Sequence, residues 1–195
     1  MRSLINYKGF TLLEVIIAAS VAAVIGMLLL LIILNSTSIS YTQSSRVDQG
    51  LGINDALAKI REEIKESTGV ATGYPETGSS IYETSQTQLV LKVSAIDNSG
   101  SIIDGSLDYF VFLKDQDKLR LKVFPAALSQ RKEVDQILTG NVNSIIFKYL
   151  DDTHPPVEVP PATAAKVQIT LVLRTKIGPE YESSMATSEA ILRNN

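Results

Sequence analysis

A single acidic residue stands inside the apolar segment near the start of this 195-residue chain. Glu14 lies between Leu13 and Val15, and the residues from Val15 to Leu34 carry no charged side chain. A carboxylate inside a membrane helix costs roughly 2.5–3.5 kcal/mol at the centre of the helix, and less near its end. We therefore expect Glu14 to have a cationic or hydrogen-bond-donating partner.

No basic side chain follows Glu14 closely, because the next one along the chain is Arg46. A cut between Gly9 and Phe10 would create a new amino group about one helical turn from Glu14. The amine would lie at a helix end whose N–H groups lack intrahelical partners and carry partial positive charge. The carboxylate could then pair with the amine of its own chain or with that of a neighbouring subunit.

The segment that carries Glu14 has the composition of a membrane-spanning helix. Val15–Leu34 would be ~30 Å long at the usual helical rise, which matches the hydrocarbon core of a bilayer. Arg2 and Lys8 precede it, so the positive-inside rule predicts residues 1–9 in the cytoplasm and the rest of the chain outside. A signal peptide would have a shorter apolar core and a small-residue cleavage site. A plain, uncleaved signal anchor remains the alternative.

The segment KGFTLLEVIIAASVAAVIG resembles the prepilin-type cleavage and methylation motif of type IV pilins and type II secretion pseudopilins. The resemblance implies that a prepilin peptidase cuts after Gly9 and methylates the new amino terminus at Phe10. It also implies that Glu14 contacts the amine of a neighbouring subunit during filament assembly. Loss of residues 1–9 would remove Arg2 and Lys8 and change the formal net charge from −3 to −5.

The chain after Leu34 predicts an extension of the helix. Residues 35–48 are polar with few helix breakers, and Ile53, Leu57, Ile60 and Ile64 then recur at helical spacing. We expect this apolar stripe to pack on a sheet and the helix to end near residues 67–69.

The rest of the chain reads mainly as strands and loops. Residues 70–87 and 151–165 have loop composition, and residues 125–140 are predicted to be irregular or a short helix. Asp97–Gly100 is predicted as a turn, and Asp115–Asp117 as the turn of a hairpin. The predicted strands cover residues 89–93, 109–113, 119–123, 142–150 and 167–173. Residues 181–193 fit a strand or a short helix, and we favour a final strand.

One long helix followed by antiparallel strands is an α+β architecture. The predicted organisation is a leader peptide at 1–9, a transmembrane and assembly helix at 10–34, an amphipathic helical extension at 35–69 and a sheet domain at 70–195. The order of elements resembles that of J-type minor pseudopilins and similar minor pilins. The pilin-like fold implied is a long membrane-spanning helix packed on an antiparallel β-sheet.

The sequence lacks the residues that several kinds of chemistry require. The chain contains no cysteine, which excludes disulfides, cysteine-bound metals and thiol nucleophiles. His154 is the one histidine, and no hydrolase, phosphate-binding or dinucleotide-binding motif occurs. We therefore expect no enzyme activity, no cofactor and no metal centre. Paired acids at Asp151–Asp152 and at Asp115 and Asp117 leave a structural calcium ion open, but their spacing is unspecific.

Two further patterns bear on nucleic acid. Lys118, Arg120 and Lys122 alternate along one strand, and we interpret them as a solvated face; contact with DNA phosphates is the alternative. The acidic total charge disfavours a nucleic-acid partner. The tyrosines are dispersed in the sequence, so no base-stacking platform is predicted from Tyr41, Tyr74, Tyr82, Tyr109, Tyr149 and Tyr181.

The resemblance implies a structural, minor and tip-proximal subunit of a type IV pilus or a type II secretion pseudopilus. The implied partners are prepilin peptidase, other pilin or pseudopilin subunits, the inner-membrane assembly platform and the membrane. The implied location is the cytoplasmic membrane, with one span and the amino terminus inside, and then a periplasmic or extracellular filament. A minor pilin that serves as a binding module for adhesion or DNA uptake is the alternative.

Overall fold

The computed structural model describes residues 11–177 and 180–193. The chain divides into two compact units, with the division after Arg46. One helix, α1, runs from Leu12 to Glu66 and contributes residues to both units, which are described separately below. Cleavage-site residues Gly9 and Phe10 lie outside the described residues.

The first unit holds the apolar part of α1. Leu12–Leu34 is long and apolar enough to cross a membrane, by length and composition. Its side chains are exposed throughout, and Leu12 is 80% accessible. An apolar helix surface of this kind requires a cover other than water.

The second unit combines the last part of α1 with antiparallel strands, so the predicted α+β class is confirmed at this level. The described strands are β1 (Gly69–Val70), β2 (Gly73–Tyr74), β3 (Tyr82–Glu83), β4 (Gln88–Ile96), β5 (Ile102–Asp115), β6 (Lys118–Phe124), β7 (Val134–Thr139), β8 (Val142–Leu150), β9 (Lys166–Ile177) and β10 (Glu180–Ile191). A short 3₁₀ helix, Pro161–Thr163, precedes β9.

The strands described here form three antiparallel sheets rather than the one sheet that was predicted. The larger sheet has the order β1-β4-β5-β6-β7, the second has the order β10-β9-β8, and β2 pairs with β3. The predicted strands are present, and so is the hairpin at Asp115. Residues 180–191 form a strand, which decides between the strand and the short helix considered for the end of the chain. At the predicted turn, Asp97 Oδ1 accepts hydrogen bonds from the N–H groups of Ser99 and Ser101.

The amphipathic stripe of α1 is buried, as predicted. Ile53, Leu57, Ile60 and Ile64 are at most 5% exposed and belong to one apolar cluster with residues of both larger sheets. The helix and the two sheets therefore share a core, whose largest side chains include Phe112 of β5 and Phe147 of β8.

Strand β7 corrects the prediction that residues 125–140 are irregular or a short helix. Val134–Thr139 is the edge strand next to β6. Its side chains are exposed or half-buried, so it lacks the alternation of buried and exposed residues by which a strand is recognised in a sequence. Pairing with β6 decides its structure.

The predicted loop at 70–87 also contains short paired segments. Val70 of β1 pairs with Leu91 of β4, and Gly73 of β2 pairs with Glu83 of β3. The close approach at Gly73 requires glycine, because a Cβ atom there would lie 2.7 Å from the carbonyl oxygen of Tyr82.

Candidate functional site

The beginning of helix α1 is organised by a reciprocal pair of hydrogen bonds. The backbone N–H of Thr11 donates to Oε2 of Glu14 at 2.9 Å, and the backbone N–H of Glu14 donates to Oγ1 of Thr11 at 3.3 Å. The Thr11 hydroxyl also donates to the same carboxylate oxygen, at 3.0 Å. This is a capping box, which satisfies two N–H groups that a helix end otherwise leaves without partners.

The capping box gives Glu14 a partner that the sequence analysis did not identify. The signal was present in the sequence as Thr11-Leu12-Leu13-Glu14, the Thr-x-x-Glu pattern that begins many helices. All three hydrogen bonds involve the peptide N–H groups or the hydroxyl of this short segment. A cut after Gly9 would leave every one of these groups in place.

Glu14 therefore has a local role that is compatible with the predicted role at a neighbour's amine. Its two donor contacts end on Oε2, so Oε1 takes part in neither of them. The predicted contact between Glu14 and an amine stays a prediction, because the first ten residues are not described.

The basic strand β6 presents its cations on the outer face of the larger sheet, as predicted. Arg120 and Lys122 are half-buried and alternate with buried Leu121 and Val123. Nη1 of Arg120 lies 2.7 Å from Asp135, and Nζ of Lys122 lies 3.0 Å from the same carboxylate.

Neighbouring carboxylates neutralise much of the positive charge of this strand. Hydrogen bonds from Lys122 and Arg120 hold the pKa of Asp135 below its usual value. Nε of Arg120 lies 3.0 Å from Asp115 as well. A phosphate backbone would have to displace these carboxylates, so the arrangement favours the solvated face over the DNA contact.

Three of the tyrosines that are dispersed in the sequence meet in the folded domain, which the sequence analysis did not predict. The rings of Tyr74 and Phe124 stack with centroids 4.4 Å apart, and Tyr109 and Tyr82 contact this pair. Strands far apart in the sequence bring them to one face of the larger sheet. The tyrosines pack against a small apolar cluster of Ala71, Val90 and Val111.

This aromatic group is a packed layer rather than a platform for bases. Each ring is half-buried against another ring. The hydroxyl of Tyr109 donates to Glu76 at 3.1 Å, and burial together with this contact raises the pKa of Tyr109 to about 12. A base that stacked here would have to separate rings that already contact each other.

The paired acids have structural roles in their loops. Oδ1 of Asp151 accepts from the N–H of Val157 at 2.8 Å and from the Thr153 hydroxyl at 2.7 Å, and these bonds lower the pKa of Asp151. Asp152 forms an ion pair with Lys166 at 3.2 Å. Among the described residues, no group of three or more His, Asp or Glu side chains is placed to hold a metal ion.

One buried ion pair organises the segment between β6 and β7. Asp108 is completely buried and accepts from the N–H of Ala126, the hydroxyl of Ser129 and Nη1 of Arg131, all at 2.7–2.8 Å. Nη1 of Arg131 also donates to the carbonyl oxygen of Ser94 at 2.6 Å. Every contact ends inside this unit, so the cluster is structural.

Two features of the described part of the chain thus point to function: an exposed apolar helix and an acidic residue at its first turn. No protein-family model matches the sequence, and comparison with curated proteins found no relative.

Proposed function

We propose that this protein is a structural subunit of a helical filament of the type IV pilus or type II secretion pseudopilus kind. In this proposal a prepilin peptidase cuts the chain after Gly9 and methylates Phe10. The chain is held in the cytoplasmic membrane by α1 before it enters the filament. The observation that carries the proposal is the exposed apolar helix Leu12–Leu34 with Glu14 in its first turn.

The physical argument concerns what can cover this helix. A bilayer can cover it, and so can identical or similar helices of neighbouring subunits. In a bundle, the partial positive charge of the helix start and a free amine would both attract the Glu14 carboxylate. Because an unpaired carboxylate is costly in an apolar surrounding, this contact would fix the axial register of the subunits.

We further propose that the subunit is a minor one. The order of helix, strands and loops that resembles J-type minor pseudopilins supports this assignment, and the family then implies a position near the filament tip. Pairing of Arg120 and Lys122 with Asp135 argues against DNA uptake as the role of the β6 face.

Processing is the direct test of the proposal. We would co-express the full chain with a prepilin peptidase and measure the mass of the intact product. The expected product lacks residues 1–9 and carries one added methyl group on Phe10. The substitution Gly9→Val should block the cut, because the peptidase must accept glycine on the leader side.

Gly26→Val is the matched control for this experiment. Gly26 lies in the apolar helix, and nothing lies within 4 Å of the position that a Cβ atom would take. This variant should be cut and methylated like the parent chain. The proposal would be contradicted if the parent chain kept residues 1–9, or if Gly9→Val were cut normally. Either result would indicate a membrane-anchored domain that is not processed as a pilin.

A further inference from the structure

The outer face of the three-stranded sheet β10-β9-β8 is open along most of its length. Ile169 and Leu171 of β9 and Ala190 of β10 are buried in the core. Because successive side chains of a strand point to opposite faces, the residues that alternate with these face outwards. The outward side chains are exposed or half-buried on all three strands. We call the surface made by alternate residues of 144–148, 168–176 and 181–191 the open face.

The centre of the open face is apolar. Met185 of β10 lies directly opposite Val172 of β9. In the next row, Ile146 of β8 pairs with Thr170. Met185 is 71% exposed and Ile146 is 39% exposed. The hydroxyls of Thr170 and Thr187 form a hydrogen bond with each other at 3.1 Å, so the centre offers mainly apolar contacts to a partner.

Cations flank this apolar centre at both ends. At one end Arg174 and Lys176 are exposed on β9, and the guanidinium of Arg174 lies 4.3 Å from the ring centre of Tyr181. At the other end Lys148 of β8 is exposed. Within the described part of the chain, none of these three cations forms an ion pair with a carboxylate. Glu189 is the one acidic side chain described on the open face, which is therefore cationic on a chain of formal net charge −3.

The backbone of this sheet restricts what can cover the open face. Strand β9 pairs with β8 on one side and with β10 on the other, so its peptide groups are used within the sheet. An extended segment laid on the face would find no backbone partner and would leave its own polar groups unpaired. A helix satisfies its backbone groups internally and needs only side-chain contacts, as helices that cover sheets in layered domains do.

The spacing of the cations sets the length of such a helix. Lys148 pairs with Gln168, which lies six positions before Arg174 along β9. The two cationic ends are therefore ~20 Å apart at the usual rise of a strand. A helix covers ~20 Å in about fourteen residues, and two residues fourteen positions apart lie within ~40° of each other around its axis. Acidic residues at that spacing would reach both ends from one side of a helix.

A nucleic acid is a poorer occupant of the open face. Its backbone carries a phosphate at every nucleotide, so the charges are distributed evenly along the strand. Phosphates between the two cationic ends would lie against Met185, Val172 and Ile146, which offer them no donor or positive charge. The distribution of charge on the open face thus favours a ligand that is acidic at its ends and apolar at its centre.

We propose that the open face binds an amphipathic helix of a partner protein, with acidic residues about fourteen positions apart and apolar residues between them. The carboxylates pair with Arg174 and Lys176 at one end and with Lys148 at the other, and the apolar side chains pack on the centre of the face. This inference goes beyond the proposed filament role and does not depend on processing at Gly9.

The test uses the full-length protein in detergent micelles and a synthetic helical peptide of about twenty residues. The peptide is rich in Ala and Gln, with two Glu near each end and Leu between them on the same face. In one comparison peptide Lys replaces Glu. In a second, the Glu residues are moved to the face opposite the Leu residues. Empty micelles measure nonspecific uptake of each peptide.

We expect saturable binding of the Glu peptide and at least about tenfold weaker binding of both comparison peptides, a difference of ~1.4 kcal/mol. In protein with labelled methionine methyl groups, the Met185 resonance should shift as the Glu peptide is added. The resonance of Met27, in the apolar part of α1, should not shift. Equal binding of the three peptides, a shift of Met27 without one of Met185, or no binding at millimolar peptide would overturn the proposal.

Two matched pairs of variants test the charge and the apolar contact separately. Lys176→Glu should weaken binding of the Glu peptide by about threefold or more and strengthen binding of the Lys peptide. Lys118→Glu, at an exposed lysine of the other sheet, should change neither. Met185→Thr should weaken binding of the Glu peptide, whereas Leu128→Thr, at a residue that is also 71% exposed, should not. Equal effects within either pair would contradict binding at the open face.

The remaining arms are a single-stranded oligonucleotide and micelles that contain an anionic phospholipid. If either shifted the Met185 resonance while the Glu peptide did not, the open face would bind nucleic acid or lipid and the proposal would be wrong. The Gly9→Val chain should bind the Glu peptide as the parent does, so failure of this inference is separable from failure of the processing proposal.

Discussion

Glu14 and Thr11 are joined by hydrogen bonds in both directions. The Glu14 carboxylate therefore has a role in capping the helix in addition to its proposed role in assembly. As an acceptor, Glu14 completes the capping box through Oε2. As a charge, it is proposed to attract the amine of a neighbouring subunit. A substitution that keeps the acceptor and removes the charge can distinguish these roles, and glutamine does so because it also serves in capping boxes.

We predict that Glu14→Gln inserts into the membrane and starts α1 as the parent chain does, but co-purifies poorly with partner pilin-like subunits. Glu14→Val should lose both the cap and the assembly contact. The measurements are carbonate extraction for insertion and the yield of co-purified subunits for assembly. Normal co-purification of Glu14→Gln would show that the charge has no part in register.

Thr11→Val is the control that removes the cap and leaves the charge. It deletes the hydroxyl that accepts from the N–H of Glu14 and should cost about 0.5–2 kcal/mol of helix-start stability. Its co-purification should stay closer to that of the parent chain than the Glu14→Gln value does. If Thr11→Val co-purified less well than Glu14→Gln, loss of the helix cap and not loss of the charge would explain the assembly defect.

The buried pair of Asp108 and Arg131 makes a second prediction, about the stability of the sheet domain. Asp108→Asn should lower the free energy of unfolding by about 3 kcal/mol, because Arg131 loses its buried partner. Arg131→Met should cost more, about 5 kcal/mol, because it leaves a completely buried carboxylate without its cation. Urea unfolding in detergent, followed by tyrosine fluorescence, measures both; the chain has no tryptophan to interfere.

Asp104→Asn is the matched control for this pair. Asp104 lies on the same strand as Asp108 but is exposed, so its substitution should stay within about 0.5 kcal/mol of the parent. In the double variant Asp108→Asn with Arg131→Met, the loss should be smaller than the sum of the single losses, because the two residues share one interaction. Full additivity would show that the pair does not act as a unit.

The strands and the buried Asp108 cluster differ in how far their structure could be predicted from the sequence. The strong strand predictions rested on alternation within a few residues, as at Leu89, Leu91 and Val93, and the structure confirms them. The segment after Phe124 is organised by Asp108, whose contacts reach Ala126, Ser129 and Arg131 across 18 to 23 residues of chain. No local pattern records a partner at that distance.

The same limit explains why neither the aromatic group nor strand β7 was predicted. Tyr74, Tyr109 and Phe124 are far apart in the sequence and meet only because β5 and β6 pair while the β2–β3 hairpin packs nearby. Edge strand β7 takes its conformation from β6. The capping box at Thr11 and Glu14, in contrast, was local and readable, and it was overlooked because the acidic residue was interpreted only through its charge.

Glu63 makes the last prediction, which concerns pH. This carboxylate of α1 is 6% exposed, and Lys59 lies 2.6 Å from its Oε1. Burial raises the pKa of Glu63 above its usual value of 4.5, and the hydrogen bond from Lys59 opposes this effect without cancelling it. The folded protein therefore binds the Glu63 proton more tightly than the unfolded chain does.

The sign of the pH dependence follows by linkage. A raised folded-state pKa contributes stability that is complete below the unfolded pKa and is lost as the pH rises through the folded value. Relative to Glu63→Gln, the parent should therefore become less stable as the pH rises above the unfolded-state pKa of Glu63, as measured by urea unfolding at each pH. Glu62→Gln, which removes an exposed carboxylate that contacts the same Lys59, is the variant of matched charge for comparison. A difference between parent and Glu63→Gln that stays constant with pH would mean that Glu63 is solvated in the folded protein.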